Sequence, residues 1–363
     1  MPDVPSRAEA RRRSFMPLVI ATFLITLVLA LATASPISAQ ATHVLTGDQV
    51  AIYNVAGEVT ILTGSGPDVV VEVTRGGADA DELTIANGEV RGRPTLRIIY
   101  PADRVIYREM GRSSNTTFRI NNDGTWGMGG RGDRGIRVSG SGSGMEAYAD
   151  LVIRVPAGKR LAMFLGVGDV TASDVEGDLV VDTHSGAVKA DNVRGSLLVD
   201  TGSGSVKTSG IQGELNIDTG SGSVDLANCT GPRIVVDTGS GRVTGENVSA
   251  EYLEVDTGSG GIDLMAVSGT EIRLDTGSGS VMLGLLNDVQ YVNIDTGSGG
   301  VTLAVPATLG ARLEVDTGSG GISVDVPCDF TKQTRSYVLG QLGDGDGRIV
   351  IDTGSGRVRI RRP

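Results

Sequence analysis

Leu215-Asn216-Ile217-Asp218-Thr219-Gly220-Ser221-Gly222-Ser223-Val224-Asp225-Leu226 is one turn of a pattern that recurs along the second half of the chain. Its centre, Asp-Thr-Gly-Ser-Gly, starts at Asp200, Asp218, Asp237, Asp256, Asp275, Asp295, Asp316 and Asp352, preceded by the variant Asp182-Thr183-His184-Ser185-Gly186. Successive starts lie 18, 18, 19, 19, 19, 20, 21 and 36 residues apart. A unit this short, with two Gly-rich corners and no 3.6-residue period, excludes a helical pair. Apolar residues stand one and three positions before every Asp, as in Leu197 and Val199 or Ile349 and Ile351. Val or Ile returns six positions after it, as in Val206, Val224 and Ile262. Period two means strands with one face inward.

The fold expected from this pattern is all-β: a right-handed parallel β-helix, or β-solenoid, with coils of about 18–21 residues. Each coil is read as two short strands, turned at Gly-Ser-Gly and again at loops such as Arg194-Gly195 or Gln212-Gly213. Neighbouring coils pair in parallel at about 4.8 Å, so like residues stack into ladders and stability comes from the stack. Drift in repeat length is absorbed at the loops between coils, as at residues 266–270 and 285–289. The interval of 36 reads as a degenerate coil with a loop at residues 341–347. Arg357, Arg359, Arg361 and Arg362 on the last strand read as charges protecting an open end from edge-to-edge pairing.

Three regions follow. Residues 1–41 read as an export signal: Arg11 to Arg13, an apolar run from Phe15 to Ala34, then Pro36 and Ala39-Gln40-Ala41, with cleavage expected after Ala41. The apolar run is long enough to span a bilayer, so an uncleaved anchor is the alternative and the only membrane contact expected. Residues 42–160 read as an N-terminal β cap with a Gly-rich mobile loop at 107–148. Residues 161–363 read as the solenoid, with a first imperfect coil at Leu161 that places Phe164 where Asp would stand. The formal charge is −11, and the leader holds Arg7, Arg11, Arg12 and Arg13 against Asp3 and Glu9, so the remainder is more acidic still. Nucleic acid is therefore not an expected partner.

Tyr53-Asn54-Val55-Ala56-Gly57-Glu58-Val59-Thr60-Ile61, Leu151-Val152-Ile153-Arg154-Val155-Pro156-Ala157-Gly158 and Gly177-Asp178-Leu179 with the Thr/Ser-Gly repeats resemble the bacterial adhesin-like β-strand-repeat family over roughly residues 45–360. The resemblance implies a β-solenoid of the bacterial envelope and carries over no catalytic residues.

Chemistry is sparse. Hydrophobic-Asp-Thr-Gly-Ser is also an aspartic-protease signature, but eight copies at solenoid pitch do not make the paired site such enzymes need. With His43 beside the leader and His184 at a turn, neither a His-based triad nor a zinc site has enough material. Lys189 and Lys207, at equivalent positions of adjacent coils near Asp182 and Asp200, are the one cluster suggesting a carbohydrate-active β-helix enzyme. Cys229 and Cys328 lie too many coils apart for a disulfide and are expected to be free and buried. Arg131-Gly132-Asp133 is assigned no role.

The pentapeptide Asp is expected to accept turn hydrogen bonds, and the glycines to supply positive φ. By parity each Asp points outward, making a ladder of Asp200, Asp218, Asp237, Asp256, Asp275, Asp295 and Asp316. Neighbouring charges at 4.8 Å repel by about 0.9 kcal/mol even at water's dielectric, so calcium bound along the ladder is the alternative to turn bonds. The function expected is that of a non-enzymatic, exported envelope or cell-surface protein, an adhesin-like scaffold for an envelope polymer or protein.

Overall fold

A computed structural model of the chain describes residues 40–127 and 132–363. The export segment lies outside the described residues except for Gln40 and Ala41, which open the strand Gln40–Leu45. The described chain is a β-solenoid: one sheet system of 26 strands in which coil follows coil in parallel register, with a separate three-stranded sheet beside it. Alternation does what parity requires. Leu215, Ile217 and Thr219 are buried while Asn216 and Asp218 are exposed, and the next coil repeats this with Ile234, Val236 and Thr238.

Each coil also has a third side. After the second strand the chain turns through a left-handed residue at Asp174, Asn192, Gly210, Asn228, Asn247 and Ala266, with φ between 53° and 67°. Gly and Asn tolerate this region best, and Asn adds side-chain bonds between coils. Asn192 Nδ2 donates to Asp174 Oδ1 at 2.6 Å, and Asn247 Nδ2 to Asn228 Oδ1 at 3.2 Å. One inward residue per coil follows (Val175, Val193, Ile211, Cys229, Val248, Val267), each almost wholly buried. In the middle coils this side joins the ladders into continuous strands, Val224–Thr238, Val243–Thr257 and Ile262–Thr276. The extra residue of the 20-residue interval sits in the connection between Val281–Leu285 and Tyr291–Thr296, where Leu286 is exposed.

The end of the chain does not continue the stack in sequence order. Tyr291–Thr296 pairs with Gly347–Thr353, aligning Asp295 with Asp352, and Gly347–Thr353 pairs on its other side with Ala311–Thr317, aligning Asp352 with Asp316. Val358–Arg361 lies likewise between Val301–Ala304 and Ile322–Val324. The 36-residue interval is therefore no degenerate coil. The chain skips one coil height, builds the outer coil, and returns to fill the gap. Its terminal arginines guard no edge; Arg359 Nε donates to Asp325 Oδ2 at 2.9 Å in the neighbouring coil. The end is closed instead by a hairpin: Tyr337–Leu342 runs antiparallel to Ala311–Thr317, and Asp329–Gln333 antiparallel to Tyr337–Leu342.

At the other end the ladder passes residue 161 unbroken. Lys159–Val167 pairs with Gly177–Ser185 on one side and Gln49–Ala56 on the other, so Phe164 stands between Asp182 and Tyr53. Antiparallel strands then finish both sheets: Thr84–Val90 on Arg93–Ile99, and Val69–Gly76 with Gln40–Leu45 beyond Tyr148–Val155. The Gly-rich stretch 107–148 is structured rather than a mobile loop for most of its described length. Asn115–Ile120 and Arg134–Ser139 form the three-stranded sheet with Arg104–Ile106. Met128, Gly129, Gly130 and Arg131 lie outside the described residues.

Candidate functional site

The pentapeptide divides its labour differently from the sequence expectation. Thr follows Asp, so it faces inward, and the repeat threonines from Thr183 to Thr353 are at most 1% exposed. From Thr201 onward their hydroxyls weld coils together, whereas the Thr183 hydroxyl of the variant coil has no partner among the described residues. Thr238 Oγ1 accepts from the Gly241 N–H at 3.1 Å and donates to the Gly222 carbonyl of the previous coil at 3.1 Å. The pair repeats at Thr257, Thr276 and Thr296, and at the inserted coil Thr353 donates to the Gly299 carbonyl. Each such bond contributes about 1 kcal/mol, and leaving its partners unpaired in the interior costs more. The turn bonds expected of Asp are thus made by Thr. Among the described residues the rung carboxylates accept no hydrogen bond.

The glycines are needed for a different reason too. None in the eight Asp-Thr-Gly-Ser-Gly copies lies in the left-handed region. A Cβ on Gly222 or Gly241 would stand 1.7 Å from the carbonyl oxygen of the glycine one coil below. Close approach of backbones, not positive φ, excludes every other residue.

The Asp side chains do form one column, in register from Asp182 through Asp200, Asp218, Asp237, Asp256, Asp275 and Asp295 to Asp352 and then Asp316. Lost hydration, and after it the charge of Asp200, pushes the Asp182 carboxyl up to about 6. The same two causes, with the adjacent rungs as the charges, raise Asp218, Asp237, Asp256, Asp275 and Asp352. The folded state is thus a poor place for these negative charges. Among the described residues no three His, Cys, Asp or Glu side chains gather as a metal would require; the ladder offers one carboxylate per coil.

Lys189 and Lys207 are adjacent, as expected, but on the second side of the coil and turned to other acids. Lys189 Nζ lies 2.7 Å from Asp191 Oδ2, and Lys207 Nζ 3.6 Å from Asp225 Oδ2. They line a groove of about 730 Å³ with Thr244, Glu246, Asp263 and Met265, and Thr244 donates to Asp225. Each ammonium already has a carboxylate partner. Both cysteines are free: Cys229 is buried on the third side beside Thr208, whereas Cys328 is only half-buried, since it lies in the connection leading into the closing hairpin rather than in the stack.

One cleft leaves little mark in the repeat pattern. Tyr53, Phe164 and Trp126 line a cleft of about 280 Å³ with Arg91 and Arg93, beside the first rungs. Phe164 in the Asp register was the available signal; its partners come from distant segments.

The family model Toastrack DUF4097 matches residues 103–361. No protein of curated function matches the chain. Among solved structures, a candidate cell adhesion protein from Clostridium sporogenes aligns with 12% identity over 90% of this chain and 99% of its own, with a TM-score of 0.25.

Proposed function

The chain belongs to the Toastrack family, a domain of unknown function, and from that membership and the geometry above we propose that it is an exported, non-enzymatic scaffold whose flat sheets bind an envelope polymer or protein. The observation that supports this most is the fate of the candidate catalytic groups. Lys189 and Lys207 are held in ion pairs with Asp191 and Asp225 on one side, while the column carboxylates Asp182 and Asp200 stand on another. General acid–base chemistry needs such groups to converge on one bond. What repeats along the stack is surface: a straight column of outward carboxylates on a backbone locked by inward Thr and Gly. Incubation with a panel of bacterial cell-wall and capsular polysaccharides tests the reading. Polymer should be retained with no new reducing ends or unsaturated sugars. Release of oligosaccharide that is lost in Lys189→Ala or Lys207→Ala would replace the scaffold by a carbohydrate-active enzyme.

A further inference from the structure

The chain has one Trp and few other large aromatic residues, yet four aromatic side chains meet at one point on its outer surface. Tyr53 and Phe164 are cross-strand neighbours in the column that carries Asp in later coils, and their rings stack at 4.4 Å with planes 4° apart. Trp126 arrives from the inserted segment and meets Tyr53 edge-on at 5.3 Å. Phe118 backs Trp126 at 5.6 Å. Rings recruited for stability alone would be sealed, as Tyr100 is at 0% exposure. Tyr53, Phe164 and Trp126 instead stay partly open and line the cleft.

The opposite wall is cationic. Arg91 and Arg93 flank the tight turn between Thr84–Val90 and Arg93–Ile99, with Arg91 at φ 53°, a left-handed position that costs a non-glycine residue about 1 kcal/mol. Among the described residues neither guanidinium makes an ion pair or side-chain hydrogen bond, although Arg97 on the same strand lies 3.8 Å from Asp123. On a chain of net charge −11, both guanidiniums line the cleft with the rings and lie near enough for their charge to act on the Tyr53 hydroxyl. Asn121 edges the cleft with its Nδ2 donating to Thr125 Oγ1 at 3.0 Å, which leaves Oδ1 to accept. Burial raises the Tyr53 pKa, so its hydroxyl stays protonated and able to donate.

We infer that this cleft binds an acidic sugar, a hexuronate residue of a polysaccharide. The C–H-bearing face of a pyranose ring packs on an aromatic face. A carboxylate accepts paired bonds from a guanidinium, and the amide and phenol serve the hydroxyls. A quaternary ammonium ligand would be repelled by the arginines. A polyphosphate would meet Asp123 and Asp182, both near enough to act on Tyr53, whereas a hexuronate brings one charge per ring. The inference deepens the scaffold reading by naming a ligand class, but it stands on its own residues.

Trp126 is the only Trp, so intrinsic fluorescence reports directly from the cleft. Titration with oligogalacturonate and oligomannuronate should give a saturable change, with cello-oligosaccharide of equal length and ATP as controls. The Arg91→Ala/Arg93→Ala double variant should bind at least about tenfold more weakly with an unchanged melting temperature, and Tyr53→Leu should lose the response. No saturable change with either oligouronate, equal affinity for cello-oligosaccharide, or full affinity in the arginine variant would overturn the assignment. A response to ATP alone would make this a nucleotide site. None of these outcomes bears on turnover, so the scaffold reading fails or survives separately.

Discussion

A chain ending at Asp346 is expected to aggregate instead of folding to a slightly shorter protein. The deleted residues hold Gly347–Thr353 and Val358–Arg361, which lie between other strands on both sides. Without them, Tyr291–Thr296 and Ala311–Thr317 face each other across an empty coil position, about 9.6 Å apart at normal strand spacing. Both then present unpaired edges, and the buried positions of Ile349, Ile351, Val358 and Ile360 become a void lined by apolar neighbours. Unpaired flat edges are templates for association. Closing the gap would require the outer coil and its hairpin to drop by one coil height while residues 305–310, which span the skip, rearrange. Size-exclusion chromatography and far-ultraviolet circular dichroism of the truncated protein provide the check. A soluble monomer with nearly the parental β signal would show that the returning coil is dispensable, as a simple terminal coil would be.

Gly241→Ala should be among the most damaging single methyls in the repeats, and Gly321→Ala nearly silent. The added carbon at 241 meets the Gly222 carbonyl oxygen at 1.7 Å and Thr238 Oγ1 at 2.9 Å, whereas at 321 nothing lies within 4 Å. The contact at 241 is with backbone, so no rotamer relieves it, and the coils must part where Thr238 bonds both. A cost of about 3 kcal/mol or more is expected, against about 0.5 kcal/mol or less at 321. Neither glycine is in the left-handed region, so the pair separates approach from conformational freedom. Equal losses in denaturant melts would mean that the glycines serve flexibility.

Parity made much of this legible. The apolar positions flanking each Asp dictate which face is inward, and the same count that turns Asp218 out turns Thr219 in. The role of Thr could have been read from it. The third side left no such trace, because a single inward residue per coil, such as Val193 or Ile211, carries no alternation. The threading of the last coil was hidden for a related reason. Ile349-Val350-Ile351-Asp352 fits beside Asp295 as well as beside Asp316, so near-identical repeats specify pairing without specifying order. The aromatic cleft depends on closure between Tyr53, Arg91, Trp126 and Phe164, segments that only the folded sheet brings together.

Thr and Gly hold the stack while the Asp column works against it. Folding raises the pKa values of Asp218, Asp237 and Asp256 above the ordinary carboxylate value. Their ionised forms therefore destabilise the folded state at neutral pH, and the penalty disappears as pH falls and the column takes up protons. If calcium bridges the rungs, it should raise the melting temperature of the parent and not that of a variant lacking them. The decisive measurement is the melting temperature of parent and Asp218→Asn/Asp237→Asn/Asp256→Asn, in chelator, at pH 7.5 and pH 4. All other titrating groups are shared, so the difference belongs to the column. The variant should melt higher at pH 7.5, with the gap narrowing at pH 4 as the raised carboxyls take up protons. A variant that melts below the parent at pH 7.5 would show that the carboxylates themselves support the fold.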